Sequence, residues 1–267
     1  MVNRLLRSTY RHYPFRWRRG SVRRFAFQHL RGTVLDRDER GNCLLLDLNN
    51  WVDATLFLEG SFESKGIAAM EDWITRNDAD TFLDVGANIG VYTVRVAQHE
   101  QVRSIHAFEP DPRNYRQLQA NLFLSPNGQK VWAHNLALSD TAGEADLFLS
   151  RRPTRTDTGK VNTGTSSLTF NQARHEKPAV ARVRTMRVDD MINLRDAVVA
   201  IKIDVEGHEP AVLAGAQRLL RDNTCVVLVE AFEANRLKVD AVLASYGYTP
   251  VRSFNLKDYQ MYAKRST

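Results

Sequence analysis

From Thr81 onward, short apolar runs alternate with longer amphipathic stretches along the chain. The apolar runs predict strands at Thr81–Val85, Ser104–Phe108, 131–136, 197–203 and 225–229. The amphipathic stretches predict helices at 90–98, Pro112–Leu124, 210–220 and 236–246. The run 197–203 is apolar almost throughout, which is typical of a strand buried on both faces. This alternation predicts a doubly wound, Rossmann-like α/β fold with a mostly parallel sheet.

The pattern divides the chain into three regions. Residues 1–35 form a basic arm, 36–80 a small β-rich extension, and 81–267 the catalytic domain. In the extension, alternating apolar positions at 43–48 and 54–58 predict strands, and a helix is predicted over 66–76. In the catalytic domain, 144–149 predicts a hairpin arm and 249–263 contains further strand material.

Residues 151–180 are polar and have no visible period. A long insertion of this kind in a compact domain is typically a binding loop or a lid, so we expect this loop near the active site. A surface excursion without function is the alternative.

The composition is that of an ordinary globular protein, with 267 residues, 43% hydrophobic and 25% charged. The sequence has no apolar run long enough to cross a membrane and no secretory signal core at its N-terminus. Its two cysteines, Cys43 and Cys225, lie far apart and predict buried thiols in a reducing compartment. We therefore expect a cytoplasmic protein.

The positive charge is concentrated in the arm. Residues 1–35 contain nine arginines and no Asp, Glu or Lys, so subtracting nine from the net charge of +6 leaves −3 for the remainder. Aromatic residues are interleaved with these arginines. The arm could contact an anionic membrane surface, bind RNA or be solvated and partly disordered. Arginine-rich, acid-free composition is also found in organellar presequences.

The first candidate site joins the first strand to the first helix and reads Asp84-Val85-Gly86-Ala87-Asn88-Ile89-Gly90. Gly86 and Gly90 allow the backbone to approach a ligand closely. The Asp84 carboxylate suits an amine or hydroxyl better than a pyrophosphate, and the dinucleotide fingerprint G-x-G-x-x-G is absent. A nucleotide-like ligand with an amino-acid end therefore fits better than NAD, with Asn88 orienting that end.

Two further acidic residues follow the next strands. Glu109 closes the second strand, 25 residues after Asp84, where an acidic residue typically accepts hydrogen bonds from ribose hydroxyls. Asp140 follows the third strand and could accept from an adenine amino group. A helix or turn cap is an equally good interpretation of Asp140.

Four ionisable residues crowd the end of the fourth strand: Asp204, Glu206, His208 and Glu209. Alternation along an extended chain points Asp204 and Glu206 to one side, and clustered like charges favour a functional role for both. Glu209 is better explained as a first-turn helix acid. His208 has two interpretations: a general base, or an exposed loop residue without a role in the reaction.

Four segments together resemble the FkbM family of class I methyltransferases: DVGANIGVYT, HAFEPDPRNYRQLQANL, NLALSD and IKIDVEGHEPAVLAGA. The resemblance spans roughly residues 46–230, and its last segment is the most specific. It implies S-adenosylmethionine as the methyl donor and O-methylation of a sugar, lipid-linked glycan or secondary metabolite. It also implies that Asp84, Gly86, Gly90 and Glu109 bind the donor, whereas the family pattern is permissive at His208.

A methyltransferase acting on a hydroxyl needs a base, for which we nominate Asp204 or Glu206, with His208 as a substitute. A divalent metal at Asp204 could acidify the hydroxyl instead, but the sequence has no clear ligand cluster.

Two rival functions remain. One is an RNA methyltransferase that binds RNA through the arm. The Asp-Val-Glu-Gly segment after the fourth strand disfavours base amines as methyl acceptors. The other is a catalytically silent module that only binds the donor. Because the resemblance includes lipid-linked acceptors, we favour contact between the arm and an anionic membrane over nucleic acid. The acceptor's identity and the oligomeric state stay open.

Overall fold

A computed structural model gives the fold of residues 2–14, 19–150, 159–170, 179–253 and 259–264. Its N-terminal elements are α1 (Val2–Arg11), α2 (Arg19–His29), β1 (Thr33–Arg37), β2 (Cys43–Asp47), α3 (Trp51–Glu59) and α4 (Ser64–Asn77). Strands and helices then alternate as β3 (Thr81–Val85), α5 (Val91–Val96), β4 (Ser104–Phe108), α6 (Pro112–Leu124) and β5 (Val131–His134). Next come β6 (Ala137–Leu138), β7 (Gly143–Leu149), β8 (Ala179–Met186) and α7 (Val188–Met191). The last elements are β9 (Val198–Ile203), α8 (Glu209–Ala214), α9 (Gln217–Asp222), β10 (Thr224–Glu230), α10 (Glu233–Ser245), β11 (Tyr248–Ser253) and β12 (Tyr259–Lys264).

A seven-stranded sheet with the order β11-β12-β10-β9-β3-β4-β5 forms the centre of the molecule. Strands β10, β9, β3, β4 and β5 are parallel, and β12 pairs antiparallel with both β10 and β11. The predicted doubly wound α/β fold is confirmed. Chain order reverses between β3 and β9, and ligands bind beside the carboxyl ends of strands at such a switch point.

Beside the main sheet, β6, β8 and β7 form a three-stranded sheet. The predicted hairpin arm at 144–149 is confirmed, because β7 pairs antiparallel with β8. The polar segment 151–180 is less irregular than expected, since residues 179 and 180 already belong to β8. Within it, 159–170 is described, whereas 151–158 and 171–178 lie outside the described residues.

Three local predictions were wrong. The alternating run at 54–58 lies in helix α3, because Asn50 caps its N-terminus and Gly60 adopts a left-handed conformation at its C-terminus. The helix predicted over 210–220 divides into α8 and α9 around Gly215. There the backbone packs so closely on Ser139 that a Cβ would lie 2.1 Å from the Ser139 carbonyl oxygen. The strand predicted over 131–136 ends at His134.

The N-terminal region packs on the main sheet and shares its core. Tyr10, Phe27 and Leu30 are buried in one cluster with Phe82 and Leu228 of the sheet. The expected boundary at residues 35 and 36 falls inside β1. A solvated, disordered arm is therefore wrong for the described part of residues 1–35. The extension also contains more helix than strand.

Cys225 is buried and Cys43 half-buried, and neither forms a disulfide. Within the described ranges, no helix has the length and apolarity to span a membrane.

Candidate active site

The carboxyl ends of β3, β4 and β9 bring the predicted site residues to one edge of the sheet. Val85 pairs in register with Phe108 on one side and Ile203 on the other. The residues that follow these strands, Gly86, Glu109 and Asp204, therefore emerge side by side. All three line one cavity together with Asn88 and His208, and we call it the donor cavity after the methyl donor that the family resemblance implies.

The loop after β3 is shaped by close contact with the end of β9. Gly86 has φ +80°, and a Cβ there would lie 1.8 Å from the carbonyl oxygen of Asp204. A side chain at this position would thus collide with backbone. Gly90 also has a positive φ, but it packs against Leu118 of α6 and does not line the donor cavity.

Glu109 is buried and held by two backbone hydrogen bonds. Its Oε2 accepts from the Asn88 N–H at 2.8 Å and its Oε1 from the Asp111 N–H at 2.8 Å. Burial raises its pKa to about 8, with a further contribution from the charge of Asp111, although both hydrogen bonds oppose the rise. Each oxygen retains acceptor capacity for a ligand hydroxyl.

Much of the lining of the donor cavity is apolar: Phe108, Leu136, Ala137, Leu138, Leu147 and Leu168. Apolar lining of this kind suits a flat heterocycle. Asp140, the predicted partner of an adenine amino group, is instead exposed and accepts from the Ser139 and Thr141 hydroxyls. Both donors are side chains, so these bonds do not identify Asp140 as a turn cap, and its role stays a prediction.

Asp84 lies behind the donor cavity and not in its lining. It is fully buried, and its Oδ2 accepts from Thr93 Oγ1 at 2.6 Å. Its Oδ1 lies 3.7 Å from Lys202 Nζ and has no hydrogen-bond partner among the described residues. Burial raises the pKa of Asp84 while the Lys202 charge opposes the rise.

Lys202 is a buried cation that connects the two loops. Its Nζ donates to the Gly86 carbonyl oxygen at 2.7 Å and lies 3.3 Å from Asp204 Oδ2. Burial alone would lower its pKa, but the carboxylates of Asp204 and Asp84 outweigh burial and raise the pKa above its ordinary value. The Lys202 ammonium thus fixes the position of Asp204 relative to the donor loop.

A second cavity of about 690 Å³ adjoins the donor cavity, and we call it the acceptor cavity after the role we expect for it. Asn88, Gly164 and Asp204 line both cavities. Aromatic walls and carboxyl groups surround the rest of the acceptor cavity: Trp51, Phe62, Tyr259, Glu59, Glu63, Glu206 and Glu230. This aromatic and acidic lining suits hydroxylated molecules and disfavours polyanions.

The acceptor cavity brings together the predicted pair Asp204 and Glu206, but His208 is not among its lining residues. His208 lines the donor cavity, where its Nε2 lies 2.9 Å from Ser139 Oγ, and burial lowers its pKa. Glu209 lies in the first turn of α8 and accepts from the Gly207 N–H at 2.7 Å, which agrees with its interpretation as a first-turn helix acid.

Sequence reasoning missed Glu63, Glu230 and Tyr259. Burial and the charge of Asp204 raise the pKa of Glu63 to about 7 and that of Glu230 to about 11. The Tyr259 hydroxyl donates to Asp204 Oδ2 at 3.2 Å. Glu230 could have been found, because it ends β10 at the same sheet edge, whereas no sequence pattern marks Glu63.

Backbone strain is concentrated at the acceptor cavity. Non-glycine residues with positive φ in the described ranges are Glu63, Asp78, Asn88, Asp196 and Glu206. Three of these five, Glu63, Asn88 and Glu206, line the cavity. Such strain persists where the surrounding structure enforces it, and functional sites are where it clusters.

Part of the polar segment covers the junction of the two cavities. Asn50 Nδ2 donates to Thr163 Oγ1 at 2.6 Å, and Ser167 Oγ donates to the Glu206 carbonyl oxygen at 2.7 Å. Gly164 faces Asn88 so closely that a Cβ there would lie 2.7 Å from Asn88 Nδ2. Part of the loop, within residues 162–168, thus lines the candidate site. Across the described ranges, no group of three or more His, Cys, Asp or Glu side chains is arranged to hold a metal ion.

Comparison with known proteins gives a consistent family. A family model described as Methyltransferase FkbM domain matches residues 84–250. The 31-O-demethyl-FK506 methyltransferase FkbM of Streptomyces tacrolimicus is 28% identical over 193 residues, which cover 64% of this chain and 74% of that protein.

Among solved structures, the methyltransferase FkbM of Methylobacillus flagellatus is 17% identical with a TM-score of 0.48. The match covers 70% of this chain and 44% of that one, so the chain spans less than half of that relative's length. A precorrin-6y C5,15-methyltransferase of Geobacter metallireducens is 13% identical with a TM-score of 0.42, covering 74% of this chain and 88% of that one.

Proposed function

Because the chain belongs to the FkbM methyltransferase family and is a methyltransferase, we propose that it moves a methyl group from S-adenosylmethionine to a hydroxyl group. The acceptor is a sugar, a lipid-linked glycan or a secondary metabolite. The observation that carries this proposal is the meeting of two cavities at Asn88, Gly164 and Asp204, with the Asp204 carboxylate at the junction.

The donor cavity is narrow, with a volume of about 50 Å³, so S-adenosylmethionine would have to widen it on binding. Its lining nevertheless offers partners for each part of that molecule. Glu109 would accept hydrogen bonds from the ribose hydroxyls, and the apolar lining at Leu136 and Leu138 would contact the adenine. The buried Oδ1 of Asn88 has no hydrogen-bond partner among the described residues, which suits an ammonium donor from the amino-acid end. The methyl group of the bound donor is electrophilic because it is attached to a sulfonium.

Asp204 would accept the proton of the acceptor hydroxyl as the oxygen–carbon bond forms. Lys202 and Tyr259 hold its carboxylate in place, so little reorganisation is needed when the hydroxyl arrives. Glu206 lines the same cavity and would orient the acceptor. The acidic lining also weakens the RNA methyltransferase alternative, because carboxylates at Glu206 and Asp204 would repel a phosphate backbone.

Calorimetric titration with S-adenosylhomocysteine tests the donor, with NAD as the comparison ligand. We expect selective binding that is lost in Glu109→Ala and retained in Glu144→Ala, a change at an exposed glutamate of β7. Equal binding of NAD, or undiminished binding in Glu109→Ala, would contradict the donor assignment.

A screen of hydroxylated acceptors with donor labelled at the methyl group tests the reaction. Labelled product from a sugar, a lipid-linked glycan or a hydroxylated secondary metabolite supports O-methylation. Label transferred to RNA alone would replace the proposed function with the RNA alternative. A protein that binds the donor but labels no acceptor of either class would be the silent module.

A further inference from the structure

The outward sides of α1 and α2 carry side chains that the fold leaves exposed. Leu5 is 68% exposed, Val2 64% and Phe25 55%. Arg4 and Arg24 are exposed beside them. Ion pairs hold Arg7 to Asp36 and Arg23 to Glu59, whereas in the described part of the chain Arg4 and Arg24 form none.

The two helices form a fixed platform. Asn3 Nδ2 donates to the Arg31 carbonyl oxygen at 2.9 Å. This hydrogen bond connects the start of α1 to the chain two residues after the end of α2. On the inward sides, Tyr10 and Phe27 are buried in the core. The exposed side chains are therefore carried by helices that are already folded against the core, so binding does not require the helices to form.

The charge of this platform differs in sign from the rest of the molecule. Residues 1–35 have nine arginines and no acidic residue, whereas the remainder has a net charge of −3. Such asymmetry orients a protein with its basic side toward an anionic surface. The acceptor cavity borders α2 through Arg23.

We propose that the outward sides of α1 and α2 bind the surface of an anionic phospholipid bilayer. Arg4 and Arg24 contact the headgroups, and Val2, Leu5 and Phe25 enter the interface between headgroups and acyl chains. Aliphatic side chains favour a bilayer over RNA, because they form neither phosphate contacts nor base stacks. This surface is independent of the methyl-transfer proposal and does not require a lipid acceptor.

Vesicle sedimentation with the full chain tests the charged part of the surface. We expect binding to phosphatidylcholine vesicles that contain phosphatidylglycerol, and much weaker binding to pure phosphatidylcholine or at high salt. Arg4→Gln with Arg24→Gln should weaken binding about 30-fold, since each basic residue near an anionic surface contributes roughly fivefold in affinity. The matched control is Arg103→Gln with Arg116→Gln, which removes the same charge from exposed positions elsewhere.

Leu5→Ser with Phe25→Ser tests the apolar part. This pair should weaken binding at both low and high salt, whereas Phe123→Ser with Leu237→Ser, at side chains 91% and 78% exposed, should bind as the parent does. Circular dichroism of all four variants checks that the fold is retained.

Absence of vesicle binding, equal binding to both vesicle types, or equal loss in test and control pairs would overturn the proposal. Fluorescence anisotropy with a single-stranded RNA oligonucleotide is the competing measurement. Binding to RNA without binding to vesicles would assign the surface to nucleic acid instead.

Discussion

At Glu109, burial and hydrogen bonding act in opposite directions on one carboxyl group. Burial dominates and raises the pKa to about 8, so the free protein holds this carboxyl mostly protonated near neutral pH. Ribose hydroxyls that donate to it would favour the ionised form. We therefore expect the affinity for S-adenosylhomocysteine to rise as the pH increases toward about 8, and binding near neutral pH to release a proton.

Calorimetry in buffers of different ionisation enthalpy measures that proton release directly. Glu109→Gln keeps the shape of the side chain but cannot ionise, so its weaker binding should neither release this proton nor vary over the same pH range. Proton release that persists unchanged in Glu109→Gln would assign the titration to another group.

The Asp204 carboxylate is expected to matter for turnover more than for donor binding. Asp204→Asn should lower the rate of methyl transfer roughly 10²–10⁴-fold, the usual contribution of a general base. Replacement of both Asp204 and Glu206 by their amides should abolish turnover while S-adenosylhomocysteine still binds. Single-turnover rates with an acceptor from the screen, together with calorimetry, separate the two effects.

His208 gives the matched comparison for Asp204. Because His208 lines the donor cavity and not the acceptor cavity, His208→Gln should leave the single-turnover rate at saturating donor within a few-fold of the parent. Full activity of the double amide variant, or a collapse of activity in His208→Gln, would reverse these assignments.

At the scale of elements, the loop after β3 depends on its contact with the end of β9. Gly86→Ala should destabilise the fold by about 1–2 kcal/mol for the left-handed backbone and by about 1–3 kcal/mol more for the collision with the Asp204 carbonyl. Gly32→Ala is the control, because Gly32 has φ +77° with no atom near its missing Cβ. It should lose only the backbone contribution.

Urea unfolding of the two variants measures the difference. Gly86→Ala should also lose S-adenosylhomocysteine binding, whereas Gly32→Ala should retain it. Equal destabilisation of the two proteins would mean that the β3 loop moves freely relative to β9.

The elements were predictable where glycine or proline residues bounded a segment with a clear hydrophobic period. Strands Thr81–Val85 and Ser104–Phe108 and helix Pro112–Leu124 are confirmed to the residue, since Gly86, Pro110 and Pro112 mark their ends. The strand predicted at 54–58 was wrong, because a short apolar stretch has no clear period. The capping residues Asn50 and Gly60 end helix α3 on either side of it and decide its conformation.

The site was predictable where it follows directly from a strand end. Glu109 and Asp204 were placed in a cavity by that rule alone. Asp84 lies inside β3, one residue before its end, so its side chain lies beside Lys202 and not in the lining of the donor cavity. Glu63 enters the site through tertiary packing of α4, which no local pattern encodes.

At the scale of the whole molecule, the N-terminal region is continuous with the catalytic core. Phe27 of α2 is fully buried in the cluster that contains Phe82 of β3 and Leu228 of β10. Lys160, beside the active-site segment, donates to the carbonyl oxygens of Leu30 and Leu48. Helices α1 and α2, the strand pair β1–β2 and the main sheet should therefore unfold as one unit.

Phe27→Ala tests this continuity, with Phe25→Ala as the matched control on the exposed side of α2. Removal of the buried ring should cost about 3–5 kcal/mol, because a cavity forms in a shared core, whereas the exposed ring should cost little. In Phe27→Ala, tryptophan fluorescence and far-UV circular dichroism should report one coincident transition at lower urea concentration than in the parent. Two separate transitions, with only the first shifted, would show that α1 and α2 form an independent arm, and the membrane-binding platform would then be detachable from the catalytic body.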